Sequence, residues 1–187
     1  YCFYTSGGME NSVAIGYGIG WGMTSGGSNT FVGHSAASGN TGGSYNVYIG
    51  RSAAQSTGGA ADNNVGIGYY CFGTLTTGGQ NVAVGSLTLQ MLTTGAQNTA
   101  IGYTAGSRAK GERSLEDHTT SSNNTAVGFD SLRNATTGGS NTIIGYQSGH
   151  SLTTGQNNIT LGYQAGYGLT TGGNNIVIGY DAETTHS

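Results

Sequence analysis

Asn98-Thr99-Ala100-Ile101-Gly102-Tyr103, led in by Thr93-Thr94-Gly95, is the unit from which the chain is built. Its closing glycine recurs as Gly16, Gly33, Gly50, Gly68, Gly85, Gly102, Gly128, Gly145, Gly162 and Gly179, at spacings of 17, 17, 18, 17, 17, 26, 17, 17 and 17 residues. A fixed period in the solenoid range outranks any local propensity as a fold signal. Seventeen extended residues reach at most about 60 Å, enough for two short strands and two turns. One repeat therefore predicts one coil. The expected fold is all-β: a parallel β-solenoid or β-roll of ten 17-residue coils, forming one repetitive unit over residues 1–187. The repeats look incomplete at both ends, as in a segment of a longer protein with any targeting signal outside it.

Columns of equivalent residues say what each coil needs. Asparagine stands at 29, 46, 64, 81, 98, 124, 141, 158 and 175, with Ser12 in the first repeat. Three residues later come Ile15, Val32, Ile49, Ile67, Val84, Ile101, Val127, Ile144, Leu161 and Ile178, all aliphatic. Such a column reads as strand residues facing a core. The preceding position is mixed (Ala14, Phe31, Tyr48, Gly66, Ala83, Ile143, Thr160), as expected of the opposite face. Small residues follow three places after the glycine, and Leu75, Leu92, Leu152 and Leu169 close their coils before Thr-Thr-Gly turns. Stacked coils would pile like on like, so asparagine amides can bond up the rod. A thin rod with so few inward apolar positions per coil invites association of several copies, a trimer first.

Composition narrows the function. There are 37 glycines, no proline, five Lys/Arg and eight Asp/Glu, for a formal net charge of -3. Collagen would need glycine at every third residue and abundant proline. No basic patch points to nucleic acid. No apolar run approaches the ~20 residues that span a membrane, so membrane insertion of this segment is not expected. Cys2 and Cys71 are four coils apart, roughly 19 Å, too far for a disulfide within one chain. They read as core fillers, with bridging between chains as the alternative.

The motif Asn11-Ser12-Val13-Ala14-Ile15-Gly16 resembles the repeats of trimeric autotransporter adhesin heads, which are threefold left-handed β-rolls. Asn98-Thr99-Ala100-Ile101-Gly102-Tyr103 with Thr93-Thr94-Gly95 is similar to repeats of bacteriophage tail fibres. The likeness covers essentially the whole chain, although adhesin-head repeats are typically a few residues shorter. It implies a homotrimeric fibre, in a virion tail fibre or at a cell surface, that meets a host or cell-surface receptor, a glycan among the candidates.

Catalysis requires groups that converge. The histidines fall in unrelated columns, and no metal-ligand spacing occurs. Asp130 and Asp181 share a column but lie about 14 Å apart along the axis, beyond the roughly 5–9.5 Å of glycosidase carboxylates. Neither an enzyme nor a bound cofactor or metal is expected. The candidate surface-contact or glycan-binding residues are Tyr146, Tyr163 and Tyr180 with Asp130 and Asp181, rings beside polar groups in one column pair. The 26-residue repeat carries a charged insertion at about 107–123, where Arg108, Lys110, Glu112, Arg113, Glu116 and Asp117 form a candidate partner-contact loop. Seven threonines, including Thr76, Thr93 and Thr153, could also form an ice-binding ladder.

Overall fold

A computed structural model describes residues 10–55, 58–106 and 120–184. Each coil contributes one three-residue strand: β1 (Val13–Ile15), β2 (Thr30–Val32), β3 (Val47–Ile49), β4 (Val65–Ile67), β5 (Val82–Val84), β6 (Thr99–Ile101), β7 (Thr125–Val127), β8 (Thr142–Ile144), β9 (Ile159–Leu161) and β10 (Ile176–Ile178). All ten pair in parallel, in sequence order, as one sheet. Equivalent residues sit side by side, Ile101 against Val127 and Val127 against Ile144. The chain is therefore a β-solenoid of ten parallel strands. Among the described residues one strand forms per coil where two were expected, because the rest of the coil is held by stacked turns.

Those turns bond along the same axis without strand dihedrals. In the fifth and sixth coils Gln80, Leu87, Leu89, Gln97 and Thr104 all lie at positive φ, between 48° and 61°. Each left-handed non-glycine residue costs on the order of 1 kcal/mol. The stack satisfies their backbone groups in return: the Thr104 N–H donates to the Ser86 carbonyl at 3.1 Å and the Gln97 N–H to Gly79 at 3.1 Å. Gly102, at φ 132°, is needed for a second reason as well. A Cβ there would strike the carbonyl of Gly128 in the next coil.

The asparagine column is the polar spine. The Oδ1 of Asn98 accepts from the backbone N–H of Asn124 at 3.0 Å and from its Nδ2 at 3.2 Å. Asn98 Nδ2 in turn donates to Asn81 Oδ1 at 3.0 Å and to the Ser121 carbonyl at 2.8 Å. Both donors and both acceptor positions of a buried amide are thus used. Ser12 keeps the acceptor half of this role, taking the Asn29 N–H at 3.0 Å.

The strand faces are reversed relative to the sequence expectation. The aliphatic column points outward: Ile15, Ile67, Ile101, Ile144, Leu161 and Ile178 are exposed. The mixed column is the core, with Phe31, Tyr48, Ala83, Ala100, Ala126, Ile143, Thr160 and Val177 all buried. Its variability is compensated six residues on, across the narrow interior. Phe31 pairs with Ala37, Tyr48 with Ala54, Gly66 with Phe72, Ala83 with Leu89, Ala126 with Leu132, Ile143 with Gly149 and Thr160 with Gly166. A Cβ on Gly66 would come within 2.9 Å of the Phe72 ring, and one on Gly149 within 3.1 Å of Ile143. The first coil pairs two small residues, Ala14 and Gly20, and so does the sixth, Ala100 and Gly106, where a small cavity lies between them, Leu89 and Leu132. The closing leucines Leu75, Leu92, Leu152 and Leu169 are buried as expected.

Candidate functional site: the outer strand face and its ring column

Two strand residues per coil, three places and one place before the ladder glycine, face outward; so does the residue just after it. Alternation explains this, since the glycine itself points toward the stack. That third column reads Tyr17, His34, Arg51, Tyr69, Ser86, Tyr103, Phe129, Tyr146, Tyr163 and Tyr180. Its rings stack along the rod. Tyr17 meets His34 at 5.4 Å, and the guanidinium of Arg51 lies 5.9 Å over Tyr69. From Tyr103 the series runs through Phe129, Tyr146, Tyr163 and Tyr180 at 5.5, 5.2, 5.1 and 5.0 Å, with planes within 16° of parallel.

The structure brings Tyr146, Tyr163 and Tyr180 together and leaves them exposed. Both faces of Tyr146 and Tyr163 are covered by neighbouring rings, so mainly their edges and hydroxyls meet solvent, while Tyr180 is covered on one face. Beside them Gln164 Nε2 donates to Gln147 Oε1 at 2.9 Å. Asp181 is exposed, but Asp130 is not: it is 4 % exposed. Its carboxylate takes the Thr104 hydroxyl and, at 3.0 Å, the Arg133 guanidinium. The sequence column placed Asp130 at the surface; an arginine three residues on and a threonine one coil earlier turn it inward. Arg108, Lys110, Glu112, Arg113, Glu116 and Asp117 lie outside the described residues.

Two other titratable groups stand in the stack. His150 packs on Tyr167 at 4.9 Å, and its Nδ1 is buried with no hydrogen-bond partner among the described residues. Burial lowers its pKa, the Arg133 charge acts the same way, and Asp130 opposes them. Cys71 is fully buried, and loss of solvent pushes its thiol up to about 12, which leaves little thiolate to react. Among the described residues no group of three or more metal-ligating side chains occurs. Nor is any helix there long and apolar enough to cross a membrane. The threonine column spends its donors inside the stack: Thr76 Oγ1 donates to the Thr93 carbonyl at 3.0 Å and Thr153 Oγ1 to Thr170 at 3.2 Å.

Uniform column composition does not reveal which side of the strand is dry. The signal was present in the six-residue volume compensation, Phe31 with Ala37 against Gly66 with Phe72. No protein-family model matches the chain, and comparison with curated proteins and with solved structures gives no match.

Proposed function

We propose that this chain is a structural and adhesive fibre segment, part of a phage tail fibre that carries receptor binding to the host surface. It works mechanically rather than catalytically, as a homotrimer joined through the outer strand face. The observation that carries this reading is an outer face whose column just before the ladder glycine is aliphatic in every coil, on a rod otherwise poor in exposed apolar groups. Val13, Ile15, Ile67, Ile101, Ile144, Ile159, Leu161, Ile176 and Ile178 all lie on it, exposed.

Size supports the reading. Nine steps of one strand spacing make the strip about 43 Å long, and its two columns before the ladder glycine, each covering about 6.6 Å of strand, make it about 13 Å wide, with the ring column alongside. Three such strips converging on a threefold axis bury on the order of 1,700 Å² in all, above the roughly 1,000 Å² expected of a specific interface. Exposed contiguous apolar surface of this extent marks an interaction site. Parallel in-register copies would match aliphatic column to aliphatic column at every level. A bacterial surface adhesin would use the same face, and its membrane anchor in place of a phage attachment domain would distinguish the owner.

Sedimentation equilibrium tests the assembly. The chain is expected to sediment as a trimer, and the Ile101→Lys/Ile144→Lys double variant as a folded monomer with unchanged circular dichroism. A wild-type chain that stays monomeric at micromolar concentration overturns the reading.

A further inference from the structure

Nine of the ten residues that follow the ladder glycines carry a flat π group; the fifth, Ser86, does not. The serine interrupts the ring column between Tyr69 and Tyr103. Tyr69 has Arg51 on the side of the preceding coil at 5.9 Å, and Tyr103 has Phe129 on the side of the following coil at 5.5 Å. Each ring therefore turns its other side toward the level of Ser86. Tyr70 meets Tyr69 at 6.0 Å but tilted by 39°, too oblique to continue the stack.

We propose that this missing rung is a binding slot for one pyranose ring of a glycan, held between Tyr69 and Tyr103 with the Ser86 hydroxyl at its floor. Tyr69 and Tyr103 are two coils apart, about 9.6 Å. A ring midway sits about 4.8 Å from each, inside the range over which rings stack. Thickness selects the occupant. A free flat aromatic, not held at the coil spacing by its own backbone as the rings of the column are, makes its best contacts at roughly 3.5–4.0 Å between carbons, so it would settle on one tyrosine and leave a gap at the other. A chair-form sugar with equatorial hydroxyls is thicker and carries C–H groups on both faces. It fills both sides while its hydroxyls stay at the rim, within reach of the serine.

A second copy of the chain does not supply the rung, because in a parallel in-register assembly every copy has serine at this level. Nor does an anion fit. The nearest cation of the column, Arg51, lies on the far side of Tyr69. The slot also differs from the Tyr146, Tyr163 and Tyr180 series, whose faces already cover one another.

The slot belongs to one chain and lies in the ring column, beside the two strand columns that join the trimer, so its test is separate from that of trimer assembly. Saturation-transfer NMR with methyl β-D-glucopyranoside as probe is expected to show transfer to the sugar C–H protons. Ser86→Tyr, which completes the column with the residue its neighbours already carry, should weaken binding at least about tenfold, some 1.4 kcal/mol, with the fold intact by circular dichroism. Tyr103→Ala should do the same, and Tyr17→Ala, at the first rung where removal opens no gap between two rings, should leave binding unchanged. Absence of transfer in the wild type, equal binding in Ser86→Tyr, or binding of p-cresol in preference to the sugar each overturns the assignment.

Discussion

The two sides of the same strand obey opposite rules. The inner column holds Ala, Phe, Tyr, Gly, Ile, Thr and Val, and all but the first-coil alanine are buried. The outer one is aliphatic in every coil, and much of it is in water. Uniformity is thus not a mark of burial here. An interior can vary from coil to coil when a partner across a narrow space varies in the opposite sense. A face that must present the same surface at every level cannot. Single changes should therefore be costly inside and nearly silent outside, so long as the chain is studied alone.

The sharpest break falls on the asparagine spine. Asn98→Ala removes the acceptor for two buried donors of Asn124 and should cost about 2–6 kcal/mol, read as a drop in the urea midpoint. Asn175→Ala, at a more exposed end of the column, should cost about 1 kcal/mol or less by the same measurement. Equal losses at both positions would mean that the amide ladder is not what holds the coils in register.

The volume rule is tested next. Gly66→Val should lose about 1–3 kcal/mol by overpacking against Phe72, Cys71 and Tyr48. Adding Phe72→Ala should recover part of that loss, a coupling of at least about 0.5 kcal/mol in a double-mutant cycle. Ile67→Thr, one residue further on, keeps the β-branch on the outer face. It should stay within about 0.5 kcal/mol for the isolated chain. A larger loss there would erase the contrast between the two faces.

The smallest effect comes from His150, whose neighbours are Tyr167, Arg133 and Asp130. The fold holds its ring in the neutral form at a lowered pKa, so the unfolded chain binds the proton more readily. Stability then declines as pH falls through the unfolded value, roughly 6.5, toward the folded one. His150→Gln should flatten a thermal-midpoint profile across that window.

The period made the solenoid legible without any structural knowledge, as did the parallel stacking and the asparagine ladder. Periodicity records which residues are equivalent and says nothing about which way they point. Ile101 and Ala100 repeat equally well, and only the pairing of Phe31 with Ala37 and Gly66 with Phe72 separates inside from outside. Each coil forms one of the two strands its length allows, for a related reason. Positive φ at Leu87 and Thr104 is a backbone property that their side chains do not advertise. The ring column was readable as a series of like residues, but the covering of each face by its neighbour, and the burial of Asp130, needed coordinates.

The longest repeat holds a last consequence. Asn98 and Asn124 are 26 positions apart, yet their bond length and the pairing of β6 with β7 match those of coils 17 apart. Adjacent coils recognise each other laterally, indifferent to how much polypeptide links them. The joint after Gly106 is accordingly a place where new sequence can be spliced in and tried against the outside world while the architecture on either side carries on undisturbed.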